Sequence, residues 1–358
     1  MQLASPAPDA AKLAFCHDFI HSGRPRYVFG RNDFAVEIDG LLQLSGFIDE
    51  RSPETRFLGK PVLHRLDELP ADAMVVFVSC MRPLTVARKL EAAGVDFVDY
   101  FFFQKHSGLP LSDIPHWVGF AEDYAAHRPA YDRLYARMSD EPSRDTLRRL
   151  VAFRLHRDLT LMQPFSDRME AQYFEDFLPL GQDTFVDAGG YDGLTSLIFA
   201  RHCPDYRAIH VFEPNPEMLA EARRRLAALP RVSFHAMGLS DAARQLRFDA
   251  RHEMASASRI SDSGSSVIEV DALDAVVHEP VTFIKMDIEG AEGAALAGAA
   301  QTLRAHHPAL AICVYHKPDD FWRLAEQVLA IRDDYRLYLR HYTEGTDETV
   351  MYFVPAPA

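Results

Sequence analysis

The sequence has few cysteines and no long apolar run, and these shortages exclude several classes of protein. Only four cysteines occur in 358 residues, without a C-x-x-C pair or the spacing of a metal-binding motif. Thiols scattered in this way are typical of buried, free cysteines in a reducing compartment. No stretch approaches the roughly 18 consecutive apolar residues of a membrane helix, and residues 1–14 lack the basic start of a signal peptide. We therefore expect a cytoplasmic protein with no membrane partner.

Basic residues are also in short supply. Lysine and arginine number 38 against 52 aspartates and glutamates, which gives a formal net charge of −14. Because a protein that binds a phosphate backbone needs a cationic surface, we expect no nucleic-acid partner. The remaining composition, 48% hydrophobic and 25% charged, is that of an ordinary globular chain long enough for two domains.

The dinucleotide fingerprint G-x-G-x-x-G is missing from the N-terminal part of the chain. Gly30 follows the first apolar run, but Arg31 and Asn32 stand where the fingerprint would continue. Residues 1–23 are expected to be a short tail. The alternation from 24 to 104 predicts a small parallel, Rossmann-like α/β sheet, with strands at 27–29, 46–49, 74–78 and 95–103 and helices at 33–42 and 84–93.

What the chain does contain is a strand-and-loop pattern that is typical of a nucleoside-binding sheet. An apolar run that ends in Asp187 leads into a tight loop with Gly189 and Gly193, and a second run ends about twenty residues later in Glu213. In doubly wound sheets the glycine loop lets the cofactor approach, and the acid on the next strand accepts its ribose hydroxyls. A pyrophosphate loop disfavours a leading acid, whereas the cationic aminoacyl end of S-adenosyl-L-methionine suits one. The pattern therefore predicts S-adenosyl-L-methionine as the cofactor rather than a nicotinamide.

The later part of the chain continues the alternation of strands and helices. Residues 115–180 are charged and helical in spacing, with breaks at Pro129 and Pro142, and are expected to be a helical connector. Residues 239–264 are a polar excursion without a predicted element. The domain from 181 to 358 is otherwise an α/β domain, with strands at 184–187, 208–212, 232–237, 282–286, 309–314, 336–341 and 349–354 and helices at 194–203, 215–228, 290–304 and 319–332.

Five ordered blocks of this part resemble the FkbM-type methyltransferases, a class I family that uses S-adenosyl-L-methionine, and the resemblance covers roughly residues 145–355. It implies a Rossmann-like seven-stranded sheet and methyl transfer to a hydroxyl of a sugar, glycan or related small metabolite. Gly190 and Tyr191 depart from the family, which more often has Ala and Asn there. The blocks are Phe185 to Gly193, Val211 to Pro214, Phe283 to Glu292, Val314 to Trp322, and Tyr338 to Tyr342 with Glu348 to Tyr352. Gln172-Tyr173-Phe174 also resembles the family's segment just upstream of the first strand of this domain.

The N-terminal part is similar, more loosely, to the Rossmann-like N-terminal domain of sugar acyltransferases. The similarity lies in Val28-Phe29-Gly30, Gly46-Phe47-Ile48-Asp49 and Leu58-Gly59-Lys60-Pro61-Val62. A packing or dimerisation module, and hence a homo-oligomer, is one interpretation of such a domain. Substrate recognition is the other, with Asp49 as the evident ribose ligand.

The candidate cofactor-binding residues follow from the loop and from the resemblance. The loop and strand-end positions are Asp187, Gly189, Gly193 and Glu213. By analogy with the fold, the backbone N–H groups near Leu239 and Ser240 would meet the adenine edge. The resemblance also implies that Tyr173 lies over the cofactor, although an aromatic core pair with its neighbour is the alternative.

The candidate catalytic residues are Lys285, Asp287, Glu289 and His316. Alternation along the fourth strand of the domain would place the first three on one side, facing the catalytic mouth. Asp287 is the candidate for positioning the substrate or acting as a general base. His316 is the candidate proton acceptor near neutral pH, and the alternative is a histidine that is simply held in place by hydrogen bonds.

A divalent cation is a further hypothesis for this region. Asp287, Glu289, Asp319 and Asp320 offer carboxylate oxygens, but their spacing is not diagnostic, so no metal ligand is assigned. Two other functions stay open: a nicotinamide-dependent oxidoreductase, which the acid-led loop disfavours, and a non-catalytic binding module, which the intact polar positions 285–289 disfavour.

Overall fold

The computed structural model describes residues 1–3, 7–249, 259–260 and 266–356. They form two compact units, each taken separately below. Unit 1 comprises Met1–Ala125, Asp145–Met169 and His341–Asp347, and unit 2 comprises Ala126–Arg144, Glu170–Arg340 and Glu348–Ala358. The division into 24–104, 115–180 and 181–358 stays a prediction beside this partition by compactness.

Unit 1 is built on a six-stranded sheet, and apolar side chains are buried on both of its faces. The strands lie in the order β3-β4-β2-β1-β5-β6, and every pair is parallel except β3 with β4. The elements are α1 (Ala10–His21), β1 (Arg26–Phe29), α2 (Asp33–Leu41), β2 (Gly46–Ile48), β3 (Arg56–Phe57), β4 (Lys60–Leu63), β5 (Met74–Phe77), α3 (Pro83–Ala92), β6 (Asp96–Asp99) and α4 (Tyr100–His106).

Two expectations for unit 1 are wrong, each for a local reason. The supposed tail contains α1, because the side chain of Asp9 caps its first turn by accepting from the backbone N–H of Ala11 at 2.8 Å and because Phe15 and Phe19 enter the core. The predicted strand at 95–103 stops at Asp99, whose carboxylate accepts from the N–H of Phe102 at 2.8 Å and starts α4.

Asp49 is engaged with its own unit. One carboxylate oxygen accepts from Arg31 Nε at 2.7 Å, and the other accepts from the backbone N–H groups of Arg51 and Ser52. Gly30 has φ +109°, and a Cβ there would lie 2.7 Å from a methyl group of Val78. These contacts serve the packing of β1 and β2, and substrate recognition by Asp49 stays a prediction.

The segment predicted to be a helical connector is indeed helical. It holds α5 (Phe120–Arg137) and α6 (Glu141–His156), with short 3-10 turns at Pro115–Trp117, Leu159–Met162 and Met169–Ala171. Backbone angles at His127 are non-helical, two residues before the predicted break at Pro129. Among the helices in the described ranges, none is long and apolar enough to cross a membrane.

Unit 2 carries the elements of the larger α/β domain. Its strands are β7 (Thr184–Ala188), β8 (Ala208–Phe212), β9 (Val232–His235), β10 (Gly238–Leu239), β11 (Arg244–Asp249), β12 (Arg259–Ile260), β13 (Ser266–Asp271), β14 (Phe283–Met286), β15 (Ala309–Cys313), β16 (Tyr335–His341) and β17 (Thr349–Pro355). Its later helices are α7 (Leu194–His202), α8 (Pro216–Arg225), α9 (Leu273–Val276), α10 (Glu292–Gly298), α11 (Ala300–His306) and α12 (Asp320–Ile331).

Seven of these strands form the main sheet, in the order β16-β17-β15-β14-β7-β8-β9. The five neighbouring strands β15, β14, β7, β8 and β9 pair in parallel, and β17 runs antiparallel to β15. The predicted class I methyltransferase sheet is therefore confirmed. Because β7, β8, β14 and β15 are parallel and adjacent, their carboxyl ends meet at one edge of the sheet, where ligands bind in this fold.

A second, four-stranded sheet occupies part of the region that was expected to be a polar excursion. Its order is β10-β13-β11-β12. β11 and β12 lie within that region, and they pair with each other and, through β11, with β13, which follows the region. In β13 the side chains alternate, with Val267 and Glu269 exposed and Ile268 and Val270 buried, so this strand gives the sheet a packed face. The expectation of no element there is wrong for the described residues, and residues 250–258 and 261–265 lie outside them.

Candidate active site

A buried ion pair joins the ends of β7 and β14. Lys285 and Asp187 are register partners on these parallel strands, and Lys285 Nζ lies 3.2 Å from Asp187 Oδ1. Asp187 is fully buried, and its other carboxylate oxygen accepts from Ser196 Oγ at 2.7 Å. Asp187 therefore holds β14 and α7 together at the point where the glycine loop begins.

Lys285 also ties this pair to the loop itself. Its ammonium donates to the carbonyl oxygens of Gly189 at 2.6 Å and Ala188 at 3.3 Å. Burial works against the charged ammonium, but the carboxylates of Asp187 and Asp287 outweigh it and raise the pKa of Lys285 above its ordinary value. The lysine is therefore a positively charged clamp on the loop.

The two loop glycines are needed for contacts within the protein. Gly189 has φ +78°, and a Cβ there would lie 1.9 Å from the carbonyl oxygen of Asp287. Gly193 has φ +81°, and its Cβ would lie 3.0 Å from Cα of Ala222. The sequence predicted glycine here so that a cofactor could approach, and the structure adds that the backbone packing already requires it.

Glu213, at the tip of β8, reaches back to the same loop. Its carboxylate accepts from the backbone N–H of Tyr191 at 3.0 Å and from that of Asn215 at 2.7 Å. The residue is only 7% exposed, and burial raises the pKa of its carboxyl. The predicted strand-end acid thus lies beside the glycine loop, as a ribose ligand would.

Leu239 lies on the second sheet rather than the main one, and Ser240 directly follows it. Leu239 is the last residue of β10 and is buried, while the backbone N–H of Ser240 donates to the carbonyl of Asp271 at 2.8 Å. Ser240 Oγ accepts from Arg244 Nη2 at 2.8 Å. Contact of these two residues with an adenine stays a prediction.

The predicted alternation at the end of β14 is wrong. The strand stops at Met286, and Glu289 has φ +56°, so a turn rather than a continuing strand carries the acids. Lys285 is buried, whereas the side chains of Asp287 and Glu289 keep exposed fractions of 24% and 28%. The two carboxylates nevertheless come together, because both approach His316.

His316 follows β15 and lies among three carboxylates. Its Nε2 is 3.4 Å from Asp287 Oδ1 and 3.6 Å from Glu289 Oε2, and its Nδ1 is 2.9 Å from Glu292 Oε1. Burial alone would lower the pKa of His316, but these carboxylates raise it to about 10. A proton acceptor at neutral pH works best with a pKa near 7, so these surroundings disfavour the role that the sequence suggested for His316.

Tyr173 comes to the same place from the segment before β7. Its hydroxyl donates to Asp287 Oδ2 at 3.0 Å and lies 3.3 Å from Cys313 Sγ, and its ring centroid is 5.4 Å from Lys285 Nζ. Burial, followed by the charge of Asp287, raises the pKa of this phenol. Tyr315 adds a second, longer contact to Asp287 Oδ1 at 3.5 Å. The predicted aromatic position therefore orients Asp287.

Two further buried acids belong to the site, and the sequence suggested a role, as a candidate cation ligand, for Asp320 but not for Glu292. Glu292, the first residue of α10, is 1% exposed and accepts from the N–H of Ile288 at 3.0 Å. Asp320, at the start of α12, accepts from the N–H of Lys317 at 2.7 Å, and burial together with the charge of Glu292 raises its pKa. Acids in the first turn of a helix are common, so no sequence signal separated Glu292 from an ordinary capping residue.

Comparison with known proteins agrees with this geometry. Residues 187–343 match the sequence profile of the methyltransferase FkbM domain. The crystal structure of a methyltransferase FkbM from Methylobacillus flagellatus KT is similar in fold, with a TM-score of 0.77, 22% sequence identity, and coverage of 96% of this chain and 93% of that one. No curated protein matches the sequence significantly.

Other solved structures are more distant. An rRNA methylase from Streptococcus thermophilus has a TM-score of 0.33 and 14% identity, covering 62% of this chain and 99% of its own. Aeropyrum pernix fibrillarin, with natively bound S-adenosyl-L-methionine, has a TM-score of 0.33 and 12% identity, covering 52% and 71%. At TM-scores of 0.33, neither structure is similar enough in fold to indicate a function for this chain. The profile match and the sheet order suffice to establish that residues 187–343 are a methyltransferase domain of the FkbM family.

Proposed function

We propose that the protein transfers a methyl group from S-adenosyl-L-methionine to a hydroxyl of a sugar, glycan or related small metabolite. The observation that carries this proposal is the position of Glu213 beside the glycine loop that follows Asp187, at the ends of the adjacent strands β7 and β8 of an FkbM methyltransferase domain. In this fold the loop and the strand-end acid are where a nucleoside cofactor binds.

The residues present fit the methyl donor. A carboxylate offers about four lone-pair positions, and Glu213 uses two of them for the N–H groups of Tyr191 and Asn215, so it can still accept two ribose hydroxyls. Asp187 is neutralised by Lys285 and is fully buried, so we assign it to holding the loop in shape rather than to direct contact with the donor.

When bound, the donor supplies an electrophilic methyl group on a sulfonium. The acceptor hydroxyl must attack that carbon in line and give up its proton as the carbon–sulfur bond breaks. We assign the proton to Glu289, whose carboxylate is partly exposed and stands 3.6 Å from His316. Asp287, fixed by the hydroxyl of Tyr173 at 3.0 Å, orients the acceptor.

The acceptor class comes from the family and is supported by the site's chemistry. Partly exposed carboxylates accept hydrogen bonds from hydroxyls, as sugars offer in number. The formal net charge of −14 favours a small or glycan acceptor over a nucleic acid. All four cysteines are free, which supports the proposal of a reducing, cytoplasmic location.

Methyl transfer can be tested with the full chain and a labelled donor. A panel of sugars and glycosides is screened for incorporated label, with the matching deoxy compounds as controls. We expect Glu289→Gln to reduce turnover about 100-fold or more, since a positioned base contributes about 10²–10⁴-fold, and to leave donor affinity unchanged. Label appearing on amines but never on hydroxyls would refute O-methylation.

A further inference from the structure

We propose that Asp287, Glu292 and His316 form a binding site for a divalent first-row transition-metal cation. Each of the three residues offers one ligand atom, and these atoms all lie within 4.8 Å of one another. Metal–oxygen and metal–nitrogen bonds are about 2.0–2.2 Å long. Ligands on opposite sides of one ion are therefore about 4.2 Å apart, and the three donors need only a slight adjustment to share an ion.

Unpartnered buried atoms supply an independent reason for a ligand here. Glu292 is 1% exposed, and within the described residues its Oε2 has no hydrogen-bond partner. The side chain of His316 is 7% exposed, and neither ring nitrogen is in hydrogen-bond geometry with a described group, even though Nδ1 lies 2.9 Å from Glu292 Oε1. Buried polar atoms are nearly always satisfied, so donors close together but misaligned for hydrogen bonds point to an ion between them.

The charge around the cluster also favours a cation. Glu289 Oε2 lies 3.6 Å from His316 Nε2, and the buried Asp320 is close enough to Glu292 to interact with it electrostatically. The nearby ammonium of Lys317 donates to the carbonyl of Gly290, and that of Lys285 is paired with Asp187. A bound cation would offset the mutual repulsion of these carboxylates.

The donor set indicates which cation. One imidazole nitrogen with carboxylate oxygens suits Mn²⁺, Fe²⁺ or Zn²⁺, whereas Ca²⁺ takes oxygen ligands only. The site stands on its own geometry and does not depend on the methyl donor. If methyl transfer occurs as proposed, a cation beside Glu289 would lower the pKa of a bound hydroxyl and so assist removal of its proton.

The competing interpretation is that His316 is a protonated imidazolium that simply bridges the acids. The two are distinguished by titrating chelator-treated full-length protein with Mn²⁺ alone, by calorimetry and electron paramagnetic resonance. We expect one saturable site, and coupling between Mn²⁺ and an imidazole nitrogen in the spin-echo spectrum of the unaltered protein. Absence of binding, or binding without nitrogen coupling, would overturn the proposal.

Variants locate the site. Glu292→Gln and His316→Gln should each weaken Mn²⁺ binding at least tenfold, with circular dichroism checking that each variant folds. Glu326→Gln is the matched control, because Glu326 is an exposed acid of the same unit, paired with Arg133 at 2.6 Å. Equal affinity in all three variants would overturn the site. Binding of the methyl donor is measured in the same samples as an independent property. Variants that lose the cation site should still bind the donor, and a failure to bind the donor would contradict only the methyltransferase proposal.

Discussion

The buried pair Asp187–Lys285 should be the most sensitive electrostatic contact in unit 2. In Lys285→Met the carboxylate of Asp187 stays fully buried with one remaining donor, Ser196 Oγ at 2.7 Å, and the carbonyl of Gly189 loses its partner at 2.6 Å. Breaking a buried pair by removing one charge costs about 3–5 kcal/mol, because the other charge is left without compensation. We expect a loss of that size in the free energy of unfolding.

Urea denaturation, monitored by circular dichroism, measures this loss in the free energy of unfolding. The double variant Asp187→Asn with Lys285→Met removes both charges, so its loss should be smaller than the sum of the two single losses by about 2 kcal/mol or more. Asp319→Asn is the matched control, since Asp319 pairs with the exposed Arg323 at 2.9 Å and such pairs contribute about 0–1 kcal/mol. A loss below about 1 kcal/mol in Lys285→Met, or additive single losses, would refute the buried-charge argument.

Three further predictions follow from single contacts. Glu213→Gln should weaken donor binding about tenfold or more, since hydrogen bonds to a charged group contribute about 1.5–3 kcal/mol, and unchanged affinity in calorimetry would place the ribose elsewhere. Gly189→Ala should lower the melting temperature strongly, because its Cβ would lie 1.9 Å from the Asp287 carbonyl oxygen; a melting curve equal to the parent's would contradict this. The ring of His341 is buried, donating from Nε2 to the carbonyl of Gly345 at 3.1 Å, and burial lowers its pKa to about 3. Below about pH 6.5 the unfolded chain therefore binds a proton that the folded chain does not, and stability should fall by about 1.4 kcal/mol per pH unit down to about pH 3. His341→Asn should show a flatter pH profile in chemical denaturation, and identical profiles would count against the assignment.

The main sheet could be predicted because its central strands are buried on both faces. The runs that became β7, β8, β14 and β15 are continuous and apolar, and each ends in or beside a chemically distinctive residue, such as Asp187 or Glu213. Burial on both faces gives a continuous run that sequence alone reveals. The resemblance implies a seven-stranded sheet, which the structure confirms, and the order of its strands comes from the structure.

The wrong predictions have a different physical origin, because in each of them side-chain contacts overrode the local sequence pattern. Tyr100 to Phe103 looks like a strand, but the cap by Asp99 starts a helix there. In the half-polar strand β13 the buried Ile268 and Val270 alternate with the exposed Val267 and Glu269, which gives a weak sequence signal. The same holds for the site: Glu292 looks like an ordinary first-turn acid, but the fold brings it within 2.9 Å of His316, which lies 24 residues later in the sequence.

Donor binding by the purified full-length chain tests the central claim most directly. Calorimetry should compare S-adenosyl-L-methionine, its demethylated product and NAD under identical conditions, with Glu213→Gln as the site control. The account predicts saturable binding of the donor and its product in the micromolar range, weakened in the variant, and no binding of NAD. Binding of NAD without binding of the methyl donor would contradict it.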